Sequence, residues 1–387
     1  MLPQVLFRFD FFHPPALINF YIAGLKIREY SKRSGKFVLT HHLGDQIMNA
    51  KKQRPILGIS IGDINGIGVE VTLRALSDAR VYKSYTPLIY GHGKVLTFYR
   101  KLMSLEDFNF TQIRSLDEIQ HRKINVINVM EECPEVIPGV ETQEAGKMAL
   151  EALKAAVNDL KDGKIQGLVT APLNKNNLNT EDFHFVGHTE FITEAVGAKD
   201  SLMMMVDDQL RVGLVTGHLP LSKVAQTITK ERIQQKANIF LKSLQEDFGI
   251  NKPRIAILGL NPHAGEDGLL GEEEEKVIKP AIRELKDQNK YVFGPYPADG
   301  FFGMMHQQKF DGVLAMYHDQ GLIPFKSIAF SSGVNFTAGL PVIRTSPDHG
   351  TAYNIAGKNL ADEGSMRAAL HLASDIINQH QPEEVEA

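Results

Sequence analysis

From Pro55 onward, short apolar runs alternate with longer stretches of helical period, and few folds satisfy that alternation. A short apolar run bounded by turn residues is a strand buried on both faces, and strands separated by amphipathic helices wind into a mostly parallel sheet covered by those helices. The strands read from the sequence are ILGISI (56–61), PLIYG (87–91), INVINV (124–129), QGLVTA (166–171), LMMMV (202–206), RVGLVTG (211–217), RIAILGL (254–260) and DGVLAMY (311–317). Between them, Ala149, Ala152, Leu153, Ala156, Val157 and Leu160 recur at helical spacing and make one buried stripe, which predicts a helix over 145–160. Further helices are expected over 68–80, 230–247, 272–287 and 364–379. The sequence has no repeat of fixed period, no low-complexity tract and no long linker, so any two domains are interleaved rather than tethered.

Composition narrows the function classes. The 387 residues, 43% hydrophobic and 23% charged, supply a sizeable core. A net charge of -4, from 42 basic and 46 acidic residues mixed along the chain, gives no cationic field for a phosphate backbone and argues against a nucleic-acid partner. The single cysteine, Cys133, closes no intrachain disulfide and builds no zinc-thiolate site, which fits a reducing, cytoplasmic setting. Near the start, Arg8, Asp10, His13 and two prolines break the apolar run, so no membrane segment is expected there. Residues 1–47 differ in character from the rest of the chain, and the expectation is an N-terminal extension from an over-extended start, with Met48 the natural first residue. The last residues, QPEEVEA, read as a frayed tail.

Three apolar runs each end in a histidine: RVGLVTGHLP at His218, RIAILGLNPHAGE at His263 and DGVLAMYHDQG at His318. In open parallel sheets, ligands bind just beyond the carboxyl ends of strands. Three neutral imidazoles delivered there suit a divalent ion with an open position, the catalytic rather than the structural arrangement. One histidine alone is as readily a hydrogen-bonded loop residue, and His92 in IYGHG has the same placement, so it is the set that points to metal.

Carboxylates stand at similar turns: Asp63 in SIGDINGIG, Glu266 in HAGEDG, Asp299 in PYPADGFF and Asp319 beside His318. Such groups orient ligand imidazoles, coordinate an ion or move protons. Aspartate beside glycine is also ordinary turn chemistry, the plainer reading for Asp63 and Glu266. The run GDINGIGVE (62–70) lies between a strand and a helix and offers backbone N–H groups to an anion, although its glycines do not match the GxGxxG dinucleotide fingerprint. Late in the chain, Lys326, Asn335 and Arg344 supply cationic and amide groups for a phosphate or carboxylate. Arg344, directly after GLPVI, is expected to point into a cleft.

GDINGIGVE, TAPLNK (170–175), GHTEF (187–191), HLPL, LNPHAGEDG, YPADGFF, YHDQG and IRTSPDHGTA succeed one another as in 4-hydroxythreonine-4-phosphate dehydrogenases, which the chain resembles from about 49 to 380. That resemblance implies an α/β fold with two α/β/α lobes, similar to isocitrate and isopropylmalate dehydrogenases, and an active site in the interdomain cleft. One lobe, 48–165 plus 325–387, would bind the dinucleotide; the other, 166–324, would carry metal, substrate and dimer contacts. The family's metal ligands fall on His218, His263 and His318, the set already selected by strand ends, with zinc, magnesium, manganese or cobalt as the ion.

The same resemblance places substrate on His188, Thr189, Lys326, Asn335 and Arg344; GHTE otherwise reads as a helix start capped by Thr189. NAD or NADP would lie along DHGTAYNIAGKNLAD, with His349, Gly350, Ala352 and Asn354 nearest its adenosine end, and Lys326, Asp299 or Asp319 would accept the proton. A homodimer with a shared active site is implied. So is the reaction: oxidation of 4-phosphooxy-L-threonine to 2-amino-3-oxo-4-phosphooxybutanoate, which decarboxylates to 3-amino-2-oxopropyl phosphate for pyridoxal phosphate synthesis. The chain departs from the family's usual GDPAGIGPE at Ile64, Asn65 and Val69, and has Gly300 where relatives often carry a hydroxyl. Other expectations compatible with these residues are a dehydrogenase of threonate or erythronate 4-phosphate or of a dihydrodiol carboxylate, a non-catalytic phosphometabolite binder, and an acyltransferase of phosphotransacetylase-like fold.

Overall fold

A computed structural model describes residues 54–178 and 187–380; residues 1–53, which include the expected extension 1–47, residues 179–186 and residues 381–387 lie outside the described residues. Its strands are β1 (Ile56–Ser60), β2 (Thr86–Gly91), β3 (Phe110–Ile113), β4 (Ile124–Asn128), β5 (Gly167–Thr170), β6 (Leu202–Val206), β7 (Arg211–Leu214), β8 (Ile255–Leu258), β9 (Val292–Tyr296), β10 (Gly312–Ala315), β11 (Val334–Ala338) and β12 (Ile343–Pro347). They form one sheet in the order β3-β4-β2-β1-β5-β12-β11-β6-β7-β10-β8-β9. Pairing is parallel except where β11 meets β12 and β6, and where β6 meets β7. Consequently β7, β10, β8 and β9 run opposite to the β3-to-β12 half, and each half directs its carboxyl ends to its own edge.

The helices form where the apolar stripe predicts them: Gly68–Ser77, Gln143–Lys161, Lys230–Glu246, Lys279–Asp287 and Gly364–His380. Gln143–Lys161 starts at Thr142, whose side chain accepts from Ala145 N, and it buries the predicted stripe against β1, β2 and β5. Close packing fixes small residues in the sheet: a Cβ on Gly312 of β10 would lie 2.3 Å from Phe240 Cζ, so that position has no room for a side chain. No helix among the described residues is long and apolar enough to cross a membrane.

Strand order decides where the histidine loops emerge. β7, β10 and β8 are adjacent and parallel, with Leu214 opposite Ala315 and Leu314 opposite Ile257. The loops carrying His218, His318 and His263 therefore leave one edge of the sheet, as strand-end reasoning expects.

Candidate active site

His318 opens the helix His318–Ile328, and its Nδ1 lies 2.7 Å from Asp319 Oδ1. A proton on Nδ1 satisfies that carboxylate and leaves Nε2 with its lone pair, the arrangement that second-sphere carboxylates impose on ligand imidazoles. His218, between β7 and the helix Leu221–Thr227, brings its ring within 5.5 Å of the His318 ring, centroid to centroid. Burial, followed by the neighbouring His318 and Lys175, lowers the pKa of His218 and favours the neutral imidazole that binds cations.

His263 is placed differently. It lies in the 3-10 turn Pro262–Gly268, where His263, Ala264, Gly265, Glu266 and Asp267 take φ of 53°, 51°, 80°, 42° and 53°. Left-handed backbone costs a non-glycine residue roughly 1–2 kcal/mol, so a run of this kind persists only where its surroundings hold it. His263 is exposed, and within one chain no group of three His, Cys, Asp or Glu among the described residues converges as metal ligands would. Among the described residues of one chain the His218 and His318 rings thus come together, and His263 does not complete a three-ligand group with them. His92 takes the plainer role foreseen for it, as the N-cap of Gly93–Leu102, accepting from Lys94 N.

The residues expected to meet an anion, Asn335 and Arg344, stand on β11 and β12. Asn335, Thr337, Arg344 and Ser346 share one face, because Asn335 pairs with Ser346 and Phe336 with Thr345. Arg344 is only 2% exposed; Nε and Nη2 donate to Thr170 Oγ1 and Nη1 donates to Thr337 Oγ1. Burial pushes its pKa down to about 10, opposed by Glu190. Asn335 Oδ1 is buried with no hydrogen-bond partner among the described residues. His188 is shielded, and burial with the Arg344 and Lys175 cations holds its pKa well below the usual histidine range. Glu190 and Lys175 flank the same helix start, since a Cβ on Gly187 would meet Glu190 Oε2 at 2.5 Å and Lys175 Nζ at 3.3 Å.

The helix His188–Ala195 is preceded by Gly187 as N-cap and has no side-chain cap, so the expected cap at Thr189 is corrected. Thr189 sits one residue inside, and its carbonyl accepts from Thr193 Oγ1. The glycine before His188 lets the helix begin one residue early, which turns both His188 and Thr189 into first-turn residues.

Lys326 Nζ pairs with Asp348 Oδ2 at 3.1 Å, and burial raises the Asp348 pKa while Lys326 opposes the rise. Next to it, His349 keeps Nε2 buried without a partner among the described residues and its pKa lowered by burial. Asp319 is 71% exposed, and Asp299 is exposed in the first turn of Ala298–Gly303, which packs on the turn of His263. Of the three expected proton acceptors, Asp319 and Lys326 thus stand on the helix His318–Ile328 and Asp299 on Ala298–Gly303.

The GDINGIG run differs from an anion cradle. Asn65 N donates to Asp63 Oδ1, Gly66 N to Asp63 O and Ile67 N to Thr351 O, so the N–H groups that would face a ligand already have acceptors. Asp63 is fully buried and also accepts from Asn177 Nδ2 and Tyr353 Oη, each at 2.7 Å. It ties the 62–68 loop to the loop after β5 and to the segment that carries Gly350, Ala352 and Asn354. Asn65, one of the departures from the family pattern, donates to Val140 O and accepts from Ile137 N, clamping a further loop. Gly350 and Asn354 are exposed, while Ala352 holds φ 42°.

Imidazoles paired at strand ends beside a buried guanidinium define an α/β enzyme acting on a small anion. The family described as pyridoxal phosphate biosynthetic protein PdxA matches residues 83–373. The chain is 48% identical over 328 residues to a 4-hydroxythreonine-4-phosphate dehydrogenase of Bacteroides thetaiotaomicron, covering 84% of this chain and 90% of that one. It is 39% identical over 329 residues to a putative D-threonate 4-phosphate dehydrogenase of Oceanobacillus iheyensis, covering 84% and 98%. Among solved structures, 4-hydroxythreonine-4-phosphate dehydrogenase of Klebsiella pneumoniae superposes with a TM-score of 0.73 at 32% identity, covering 85% of this chain and 99% of that one. The chain belongs to the PdxA family.

Sequence reasoning missed Thr170 and Thr337, which hold Arg344, as well as Glu190 and Asp348. Thr170 is the penultimate residue of the predicted strand QGLVTA and the last of β5; Asp348 stands beside His349 in the recognised IRTSPDHGTA run. Neither residue type announces its role without its partner.

Proposed function

We propose that the chain is a metal-dependent NAD(P) dehydrogenase that oxidises 4-phosphooxy-L-threonine to 2-amino-3-oxo-4-phosphooxybutanoate, which decarboxylates to 3-amino-2-oxopropyl phosphate for pyridoxal phosphate synthesis. The observation that carries this reading is the His218–His318 ring pair just beyond the carboxyl ends of β7 and β10, together with the buried Arg344 held by Thr170 and Thr337. His218 and His318 fit a divalent ion of the zinc, magnesium, manganese or cobalt group, with His263 as third donor. When bound, that ion supplies Lewis-acid polarisation of the substrate's secondary hydroxyl.

The chain's own residues do the rest. Arg344, Asn335, His188 and Thr189 hold the anionic ends of the substrate, and Asp319 fixes the His318 ring. Lys326, held 3.1 Å from Asp348 Oδ2, grips the phosphate or takes the hydroxyl proton, and the carboxylates of Asp299 and Asp319 are the other groups able to take it. His349, Gly350, Ala352 and Asn354 receive the dinucleotide; His349 Nε2 lacks a partner among the described residues and a Cβ on Gly350 would meet nothing within 4 Å.

The cleft lies between a dinucleotide lobe, 48–165 plus 325–387, and a metal and substrate lobe, 166–324. It is completed by a second copy of the chain, with one copy's His263 joining the His218–His318 pair of the other. Leu221, Leu269, Ile323 and Phe330, exposed at 71%, 77%, 64% and 81%, lie in or near the segments that bear the three histidines and support an apolar interface there. The enzyme works in the cytoplasm, in keeping with its unpaired Cys133.

The runner-up substrate is threonate 4-phosphate, favoured by the likeness to the O. iheyensis protein. Reduction of NAD and NADP by metal-reconstituted protein, monitored with 4-phosphooxy-L-threonine and D-threonate 4-phosphate in parallel, tests the assignment. A kcat/KM at least about tenfold higher for the amino acid, worth about 1.4 kcal/mol of transition-state binding, is the expected result. Preference for the sugar acid transfers the chemistry to the runner-up, and turnover of neither removes both.

A further inference from the structure

Glu274 is a carboxylate that neither the metal set nor the substrate wall includes, and it is 0% exposed. Its Oε1 accepts from Leu260 N and Asn261 N, both at 2.7 Å, and its Oε2 accepts from Asn261 Nδ2 at 2.9 Å. Those donors are the residues between β8 and the left-handed turn that bears His263. Asn261 O in turn accepts from Ala264 N, which closes the turn.

The turn is moulded onto this side chain. A Cβ on Gly265 would stand 2.6 Å from Glu274 Oε2, and one on Gly259 would stand 3.1 Å from Glu274 Oε1 and 2.9 Å from Ala264 Cα. Gly259 O accepts from Gln320 Nε2, and Gln320 Oε1 accepts from Met316 N, two residues before His318. Glu274 itself opens the π-helical turn Glu274–Ile278, a form of helix that is frequent at functional sites.

We propose that Glu274 is a positioning residue for the metal site: its two oxygens hold the strained turn that aims His263, and the Gly259–Gln320 link keeps that turn in register with His318. The proposal rests on the reading of His218, His263 and His318 as metal ligands. A buried side chain with two acceptor oxygens suits a turn whose N–H groups point inward, and no neutral residue of equal size accepts on both atoms.

The test is cobalt(II) titration of the metal-stripped full-length protein and of its Glu274→Ala and Glu274→Gln variants, recording affinity, the visible absorption spectrum and the thermal midpoint of the metal-free form. Glu274→Gln keeps one acceptor oxygen and sets an N–H against Asn261 Nδ2. The expected result is a cobalt affinity lowered about 10- to 100-fold in Glu274→Ala with an altered spectrum, and a smaller loss in Glu274→Gln, since supporting residues of metal sites carry effects of that size. Folded variants that bind cobalt with wild-type affinity and spectrum, whatever their thermal midpoints, overturn the proposal and leave the metal reading intact. If Glu274→Ala does not fold, Glu274→Gln alone decides by the same criteria. A wild-type protein that takes up no cobalt refutes the metal reading itself, and the proposal with it.

Discussion

Replacing His318 by alanine is expected to lower kcat/KM about 1000-fold, because it removes a donor that an Asp319 hydrogen bond has already oriented and with it the several kcal/mol that ionic polarisation of the hydroxyl supplies. His218→Ala should do the same, since its ring stands 5.5 Å from that of His318 and the two act as a unit. Thermal stability should hardly change, because both rings are partly exposed and neither fills the core. Steady-state kinetics across a range of zinc or cobalt concentrations checks this. A variant that keeps wild-type kcat/KM at every concentration shows that His318 holds nothing the reaction needs.

The second large effect falls on Arg344, where binding and stability are expected to move in different directions. Burial, opposed by Glu190, pushes its pKa down to about 10, so the wall disfavours the charged guanidinium and an arriving anion offsets that cost. Arg344→Met should therefore raise KM for the phosphorylated substrate about 100-fold through loss of charge-assisted hydrogen bonds, while the thermal midpoint stays level or rises. Because Thr170 and Thr337 lose their donor, their hydroxyls must turn to each other or to water, which limits any gain. Kinetics and thermal unfolding of the one variant check both halves. A falling midpoint with unchanged KM would make Arg344 a structural residue.

Strand-end histidines were legible in the sequence because both halves of the inference are local: an apolar run marks the strand, and the next few residues mark the edge of the sheet. What the sequence withheld is non-local. β11 and β12 carry Asn335, Thr337, Arg344 and Ser346 on one face, and these polar residues break the apolar runs by which buried strands are recognised. β3 and β9 lie at the two edges of the sheet, where FTQI and VFGPY need less apolar character. The GDINGIG loop shows the reverse error: glycines between strand and helix suggested an anion cradle, whereas Asp63 O, Asp63 Oδ1 and Thr351 O take up the N–H groups. A partner as distant along the chain as Thr351 cannot be seen in a local pattern. Glu274 was hidden for a similar reason, as one of four consecutive glutamates of which the fold buries this one alone at 0% exposure.

Each catalytic centre is proposed to join the His218–His318 pair of one copy to His263 of another. Mixing the inactive variants His263→Ala and His318→Ala, after denaturation and refolding together, tests it most directly. In a mixed dimer one centre then has all three imidazoles and the other has lost two, and random assortment makes half of the dimers mixed. Recovery of about a quarter of wild-type activity from two inactive preparations is the predicted result. No recovery, from variants that each refold and dimerise, would contradict a ligand set shared between copies.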